Sequence, residues 1–160
     1  MSMMQARAHL ARFGLEGRVI ELEGSSATVA KAAAKLGCEP ARIAKTIALL
    51  GPEGPILVVA AGDVKIDNRA FKAQFHCKAA MIPGADVETL VGHAPGGVCP
   101  FGIKPDASVY LDESLRRFDV VYPACGNAAS AVRLTLEELE KAAEPLGWVA
   151  VTKPAAPLPA

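Results

Sequence analysis

Between Gly92 and Gly102 the chain reads Gly-His-Ala-Pro-Gly-Gly-Val-Cys-Pro-Phe-Gly, with four glycines and two prolines in eleven residues. Glycine reaches positive φ, and proline fixes φ while removing a donor, so this segment is neither a helix nor a regular strand. Backbone amides with no Cβ in front of them can approach a ligand and cradle negative charge. In ester or amide hydrolysis each well-placed donor stabilises the tetrahedral oxyanion by about 3–4 kcal/mol. Gly96, Gly97 and Gly102, with the amide of Cys99, are candidates for that work; the competing reading is a tight turn, since turns also collect glycine. No Gly-Lys-Ser/Thr follows, so the loop is not a P-loop, nor is it a dinucleotide fingerprint.

A second group stands out by its surroundings. Lys45 lies inside the apolar run Ile43-Ala44-Lys45-Thr46-Ile47-Ala48-Leu49-Leu50. An ammonium in a buried strand requires a partner or a task. It could bind a phosphate, polarise a carbonyl or act as a base once desolvated; alternatively its stem lies on the sheet and its head snorkels to water. Cys99 and His93 could form a nucleophile and its base. No third, orienting group is evident, and a small buried thiol beside a solvated histidine explains the pair equally. Cys125-Gly126-Asn127 follows a strand and either lines a pocket or turns the chain. Lys65, Arg69 and Lys72, with Lys78 nearby, make a local basic cluster whose first three members could share a helix face and track a phosphate backbone. Asp63 and Asp67 blunt that cluster, and a solvated face explains it too.

The elements that must position these residues follow from pattern. Residues 3–13 have helical spacing through Ala6, Leu10 and Phe13, closed by Gly14. Residues 18–22 alternate as a strand. Ser25 or Ser26 caps an alanine-rich helix that ends at Leu36 before Gly37. Pro40 opens a short turn that delivers the strand containing Lys45. Gly51-Pro52-Glu53-Gly54-Pro55 separates that strand from Ile56–Ala61, which predicts an antiparallel hairpin. Asp67 caps a helix over Asn68–Phe75. Short strands are expected near 78–82, 108–111, 119–122, 131–134 and 148–151, with a helical turn at 86–91. Thr135-Leu136-Glu137-Glu138 is a capping box for a helix ending near Ala143. Many strands and few long helices give the class α+β: a curled, mixed, mostly antiparallel sheet with helices packed outside. One domain over residues 1–152 and a flexible tail over 153–160 account for the whole length.

Seventeen basic residues balance seventeen acidic ones. Autonomous nucleic-acid binders carry a basic excess, so direct DNA binding is disfavoured and any grip on a polyanion is local or shared. Cys38, Cys77, Cys99 and Cys125 form no C-x-x-C pair and have no accompanying histidine spacing, which argues against a metal site; Cys38 and Cys77 are expected in the core. His9 and His76 look like ordinary helix residues. No secretory leader is evident, and the longest aliphatic block, residues 56–61, is far too short to cross a bilayer. A cytoplasmic protein is the expectation, with no cofactor.

With Lys45 and the glycine loop both in place, the sequence resembles the YbaK/EbsC family, free-standing relatives of the editing domain of bacterial prolyl-tRNA synthetases. The resemblance spans about residues 15–145. It rests on Ala44-Lys45-Thr46-Ile47, on Gly96-Gly97-Val98-Cys99-Pro100-Phe101-Gly102, and on Cys125-Gly126-Asn127 leading to Leu134-Thr135-Leu136-Glu137-Glu138-Leu139. It implies deacylation in trans of mischarged tRNA carrying a small amino acid (Ala, Ser, Thr or Cys), with a synthetase such as prolyl-tRNA synthetase as a further partner. It puts the family's lysine at Lys45 and its glycine loop at Gly96, Gly97 and Gly102. Substrate contacts then fall to Thr46, His93, Pro100, Phe101, Gly126 and Asn127, and tRNA contacts to Lys65, Arg69 and Lys72. Cys99 stands where the family often has Ser. Some cysteine-specific members carry an acidic residue where this chain reads Ala128-Ala129-Ser130-Ala131. Two alternatives stand beside this reading: a non-catalytic tRNA- or synthetase-binding module, and a cysteine hydrolase that uses Cys99.

Overall fold

The computed structural model describes residues 2–24 and 28–155. Its centre is the hairpin of β2 (Ile43–Leu50) and β3 (Pro55–Ala61), paired from Ala44↔Ala61 to Leu50↔Pro55. The turn closes with the Gly51 N–H on the Gly54 carbonyl at 2.9 Å, and Gly54 takes φ 145°, a conformation that favours glycine. Every residue of β3 is buried, as its unbroken apolar sequence requires of a central strand.

Around this hairpin the main sheet adds β5 (Ser108–Asp112), β6 (Val120–Pro123), β8 (Leu134–Thr135) and β9 (Gly147–Val149), in the order β8-β6-β2-β3-β5-β9. Two short antiparallel ribbons lie beside it. They are β1 (Val19–Glu21) with β7 (Ser130–Val132), and β4 (Val64–Ile66) with β10 (Thr152–Pro154). The sheet is mixed as expected. The ladders β2–β3, β6–β8 and both ribbons are antiparallel, whereas β2–β6, β3–β5 and β5–β9 are parallel.

The helices are α1 (Ser2–Ala11), α2 (Val29–Leu36), α3 (Asn68–Phe75), α4 (Gly84–Val91) and α5 (Leu136–Ala143). Their ends obey local chemistry. The Asp67 carboxylate accepts from the amides of Arg69 and Ala70, and Thr135 and Glu138 close a reciprocal capping box. Leu10, Leu57, Val58, Phe71, Phe101 and Leu139 are among the fully buried side chains of one continuous core.

Several expectations are corrected. Thr28 caps α2, its hydroxyl accepting from the Lys31 amide at 3.2 Å; Ser25 and Ser26 lie outside the described residues. Residues 78–82 form only an isolated bridge, Met81 with Leu49. Lys65 stands on β4 and not on a helix with Arg69 and Lys72, because residues 64–66 pair with residues 152–154. The same pairing puts Lys153 and Pro154 in a strand; of the expected tail, residues 156–160 lie outside the described residues. His76 ends α3 in the left-handed region at φ 59°. Cys38 and Cys77 are half-buried, at the margin of the core.

Candidate active site

A gap in the main sheet creates the site. Along its outer edge, β2 is covered by β6 at Ile43 and Ala44 only (Ile43↔Tyr122, Ala44↔Pro123). From Ala48 onward the segment 80–82 covers it, through Ile82 N–H to Ala48 O at 3.0 Å and Leu50 N–H to Ala80 O at 2.8 Å. In an antiparallel ladder successive residues direct their backbone groups to opposite edges. Since Ala48 and Leu50 bond outward, Thr46 also faces outward, and it does so where neither neighbour reaches.

A cleft of about 230 Å³ occupies this gap. Ala44, Lys45 and Thr46 form its floor, Thr28, Val29 and Ala32 of the α2 start form one wall, and Tyr122, Ala124 and Ala131 form another. Gly96 and Val98 complete it. The lysine of β2 and the first limb of the glycine loop, far apart in sequence, therefore share one cavity. Lys45 is the one charged residue among the described residues that line it.

Lys45 is half-buried and donates from Nζ to the Val64 carbonyl. Burial pushes its pKa below the ordinary lysine value, and the Asp63 carboxylate partly opposes that shift. Asp63 is itself held by a two-pronged ion pair with Arg117, at 2.6 and 2.9 Å, which keeps its own pKa low. Beside Lys45, the Thr46 hydroxyl oxygen is buried with no hydrogen-bond partner among the described residues. A buried hydroxyl left unpaired costs about 1–3 kcal/mol, and a polar group on a ligand in the cleft would recover it.

The glycine loop divides in two. Gly96 is exposed at the cleft with φ 87°. The Gly97 amide is already spent on the Ala94 carbonyl at 3.0 Å. The amides of Gly96, Val98 and Cys99 bond no protein acceptor among the described residues. Gly97 packs backbone to backbone on the 126–127 turn, where a Cβ would stand 2.4 Å from Asn127 Cα. That turn is braced in its own right: Asn127 Oδ1 accepts from the Ala129 amide at 2.9 Å, and Ser130 Oγ accepts from the Cys125 amide at 3.2 Å. Gly126 and Asn127 thus support the loop from behind and do not line the cleft.

The second limb turns inward. Cys99 and Phe101 are fully buried and absent from the cleft lining, and Pro100 borders a different cavity. Gly102 takes φ 66°, its amide donates to His9 Nδ1 at 3.0 Å, and a Cβ there would meet the Gln5 backbone at 2.6 Å. Through Nε2, His9 in turn donates to the Ala142 carbonyl at 2.6 Å. His9, expected to be an ordinary helix residue, ties α1, the loop and α5 together.

His93 is fully buried and not solvated as expected. Its Nε2 donates to the Phe101 carbonyl at 2.6 Å and lies 3.5 Å from the Cys99 sulfur, while Nδ1 is buried without a partner among the described residues. The nitrogen beside the thiol therefore already carries its proton and cannot act as its base. Burial also pushes the Cys99 thiol far up and the His93 imidazole down. The two residues meet, but as a packed pair behind the cleft, not as a nucleophile with its base.

Lys65, Arg69 and Lys72 are exposed on β4 and α3. Thr28, Val98, Tyr122, Ala124 and Ala131 line the cleft without having been singled out from sequence; only Thr28, a helix-cap type just ahead of an alanine-rich run, carried a local signal. No helix among the described residues is long and apolar enough to cross a membrane, and no cluster of potential metal ligands occurs among them.

Residues 23–142 match the family described as the aminoacyl-tRNA editing domain. A Bacillus subtilis relative, "Uncharacterized protein YwhH", is 46% identical over 155 residues, covering 96% of this chain and 98% of that one. The Enterococcus faecalis protein named "Putative Cys-tRNA(Pro)/Cys-tRNA(Cys) deacylase EbsC" is 29% identical over 109 residues, covering 67% of this chain and 66% of that one. A crystal structure of "a putative trans-editing enzyme for prolyl tRNA synthetase" superposes with a TM-score of 0.86 at 26% identity, covering 95% of this chain and 97% of the other.

Proposed function

The chain belongs to the aminoacyl-tRNA editing domain family, and from that premise we propose that it deacylates mischarged tRNA carrying a small amino acid, acting in trans in the cytoplasm. The observation that carries the proposal is the shared cleft: Lys45, Thr46, Gly96 and Val98 converge on a cavity of about 230 Å³. That volume favours a small acyl group. Excluding a side chain one methylene larger contributes only about 1–3 kcal/mol, so a second sieve acting after charging is useful.

In this reading the Lys45 ammonium holds the substrate by its terminal phosphate or its ester carbonyl. The open amides of Gly96 and Val98 donate to the oxyanion, in place of the Gly97 amide, which is engaged with Ala94. A bound water adds to the carbonyl carbon, and a vicinal ribose hydroxyl helps orient it. The acyl C–O bond then breaks, the proton from water goes to the ribose oxygen, and free amino acid and tRNA leave. No protein nucleophile and no metal take part. Alanine, serine, threonine and cysteine are the candidate acyl groups, and the absence of a carboxylate from residues 128–131 favours the first three. The exposed Lys65, Arg69 and Lys72 provide weak tRNA contacts. The balanced net charge fits recruitment through a synthetase, and the likeness to a structure described as acting for prolyl-tRNA synthetase supports that partner.

The test is a panel of tRNAs mischarged with these four amino acids, incubated with wild type and with Lys45→Ala. Wild type should release at least one amino acid well above the spontaneous rate, and the variant should not. Release of none of them would remove the enzymatic reading and leave a binding module.

A further inference from the structure

Lys45 is anchored by a turn that lies outside the cleft. Its Nζ donates to the carbonyl of Val64, the first residue of β4. Gly62 and Asp63 make the turn that joins β3 to β4. Where the ammonium stands therefore depends on what holds residues 62 and 63. An ammonium has several donors, so the bond to Val64 leaves others free for a substrate.

The turn is gripped from both sides. On one side the Gly62 amide donates to the Ala41 carbonyl at 3.2 Å, and a Cβ on Gly62 would overlap the Pro40 carbonyl oxygen. On the other side stands the 3-10 turn Glu113–Arg117. Arg117 closes on the Asp63 carboxylate with both Nη atoms, while its Nε donates to the Ser114 carbonyl at 3.0 Å. Its guanidinium carbon lies 4.8 Å from the centre of the Phe118 ring. Ser114 Oγ accepts from the Ala61 amide at 3.1 Å, which ties the same segment to the end of β3. The Asp63 carbonyl accepts from the Ala155 amide at 2.9 Å. A bidentate pair made by an arginine held at this many points fixes the direction of the carboxylate as well as its distance. Stability alone does not account for such bracing. Asp63 and Arg117 are 42% and 47% exposed, and exposed ion pairs contribute little to folding.

The charges around Lys45 are unequal. Asp63 is the carboxylate that acts on the ammonium, and it opposes the desolvation that favours the neutral amine. Lys65 of β4 shares a groove with Lys45, Lys153 stands opposite Lys65 in the ribbon, and Arg117 lies behind Asp63. The α2 and β6 walls of the cleft add no charged side chain among the described residues.

We propose that Asp63 and Arg117 form a positioning pair for Lys45: their ion pair fixes the β3–β4 turn, and the turn presents the Val64 carbonyl that holds the ammonium at the cleft. Neither side chain lines the cleft, so both act through Lys45. The inference deepens the deacylase reading and rests on it, but the pair can be tested without hydrolysis. The Lys45 Cε resonance, identified by its loss in Lys45→Ala, is followed against pH. In Asp63→Asn it should titrate at lower pH than in wild type, because the carboxylate that favours the ammonium is gone. Asp63→Glu, which keeps the charge, should restore the wild-type titration. In Arg117→Gln the Val64 carbonyl resonance should move toward its position in Lys45→Ala, as the turn swings away from the ammonium. An unmoved titration in Asp63→Asn, or an unmoved Val64 carbonyl in Arg117→Gln, would overturn the proposal. Both sites are at the surface, so the variants should fold and melt within a few degrees of wild type.

Kinetics add a readout that a merely structural role would not move. If mischarged tRNA is hydrolysed, Asp63→Asn should lower kcat/KM about tenfold and draw its alkaline limb to lower pH. In a Lys45→Ala background the same substitution should change nothing further. An equal loss in that background would make the pair structural and overturn its link to Lys45. Hydrolysis by wild type with an unmoved Lys45 titration in Asp63→Asn sinks the positioning pair alone. A moved titration with no hydrolysis of any mischarged tRNA sinks the deacylase reading alone.

Discussion

The two limbs of one glycine-rich loop are built for different ends. The first, around Gly96 and Val98, faces a cleft and keeps its amides open; the second, from Cys99 to Gly102, is sealed in the core, with the Phe101 carbonyl bonded to His93 and the Gly102 amide to His9. Gly96 reaches a positive φ where a ligand can approach, whereas Gly102 needs a positive φ and a missing Cβ because the α1 backbone lies against it. Glycine density in a loop thus reports two different requirements, close approach to a substrate and close approach to another part of the chain. Changes in the first limb should lower turnover and spare stability; changes in the second should do the reverse.

Gly97 joins the limbs, and its substitution should have the largest effect. In Gly97→Ala the new Cβ meets the Asn127 backbone N and Cα at 2.4 Å, and no flexible side chain can yield. The loop must lift off the 126–127 turn. We expect a loss of about 3 kcal/mol or more in stability, visible in urea unfolding, together with undetectable deacylation. A variant that unfolds like wild type would show that the two loops are not braced on each other.

Lys45→Ala comes next. It should lower kcat/KM by about 100-fold or more while leaving the melting temperature unchanged or slightly raised, because a partly desolvated ammonium is removed. The same group sets the alkaline limit of the wild type. Its pKa lies below the ordinary lysine value of 10.5, so activity that needs the ammonium should fall with rising pH before 10.5 is reached. An alkaline limb that persists unchanged in the residual activity of Lys45→Ala would assign it to another group.

What the sequence disclosed and what it withheld follow the same division between local and distant causes. The β2–β3 hairpin, the Asp67 cap and the Thr135–Glu138 box were legible because each is decided by neighbours within a few residues. β4 and β10 were not. Each has three residues, and each is held by a partner nearly ninety positions away, as in the pairing of Lys65 with Lys153. The joint motif of Lys45 and the glycine loop pointed to the cleft. Nothing local marked Tyr122 or Ala131 as its wall, nor showed that the Gly97 amide is spent, that His93 is buried or that Asn127 works from behind. A lone histidine in a helix likewise gave no sign that His9 holds three elements.

His9→Ala tests the second limb directly. It strands the Gly102 amide and the Ala142 carbonyl, and should destabilise the fold by about 2–4 kcal/mol in urea titration. Turnover measured well below the melting temperature should stay within a few-fold of wild type. A loss of turnover as large as that of Lys45→Ala in a folded sample would erase the distinction between the limbs.

His93 contributes a smaller effect that depends on pH. Burial lowers its pKa in the native state, so below 6.5 the unfolded chain takes up a proton that the folded chain refuses. Stability should therefore fall as pH drops through 6.5 toward the native value, by at most about 1.4 kcal/mol per pH unit, and should level off once the native imidazole is protonated too. The slope should shrink in His93→Gln. An equal slope in that variant would assign the acid response to the carboxylates.

Cys99→Ser is expected to do least. A hydroxyl in place of the thiol can donate to the Phe101 carbonyl, which the sulfur approaches at 3.7 Å, so the buried polar group remains paired. Some apolar contact is lost around a fully buried position, a cost of about 1 kcal/mol. Turnover should remain within about twofold of wild type, because the side chain lies behind the cleft and a thiol pushed far up in pKa supplies no thiolate at neutral pH. Alkylating reagents should reach the half-buried Cys38 and Cys77 first and leave hydrolysis intact. If the serine variant folds and is dead, or if alkylation traced to Cys99 stops turnover, the sulfur is the nucleophile, the second limb opens to substrate, and the contrast between the two limbs falls with it.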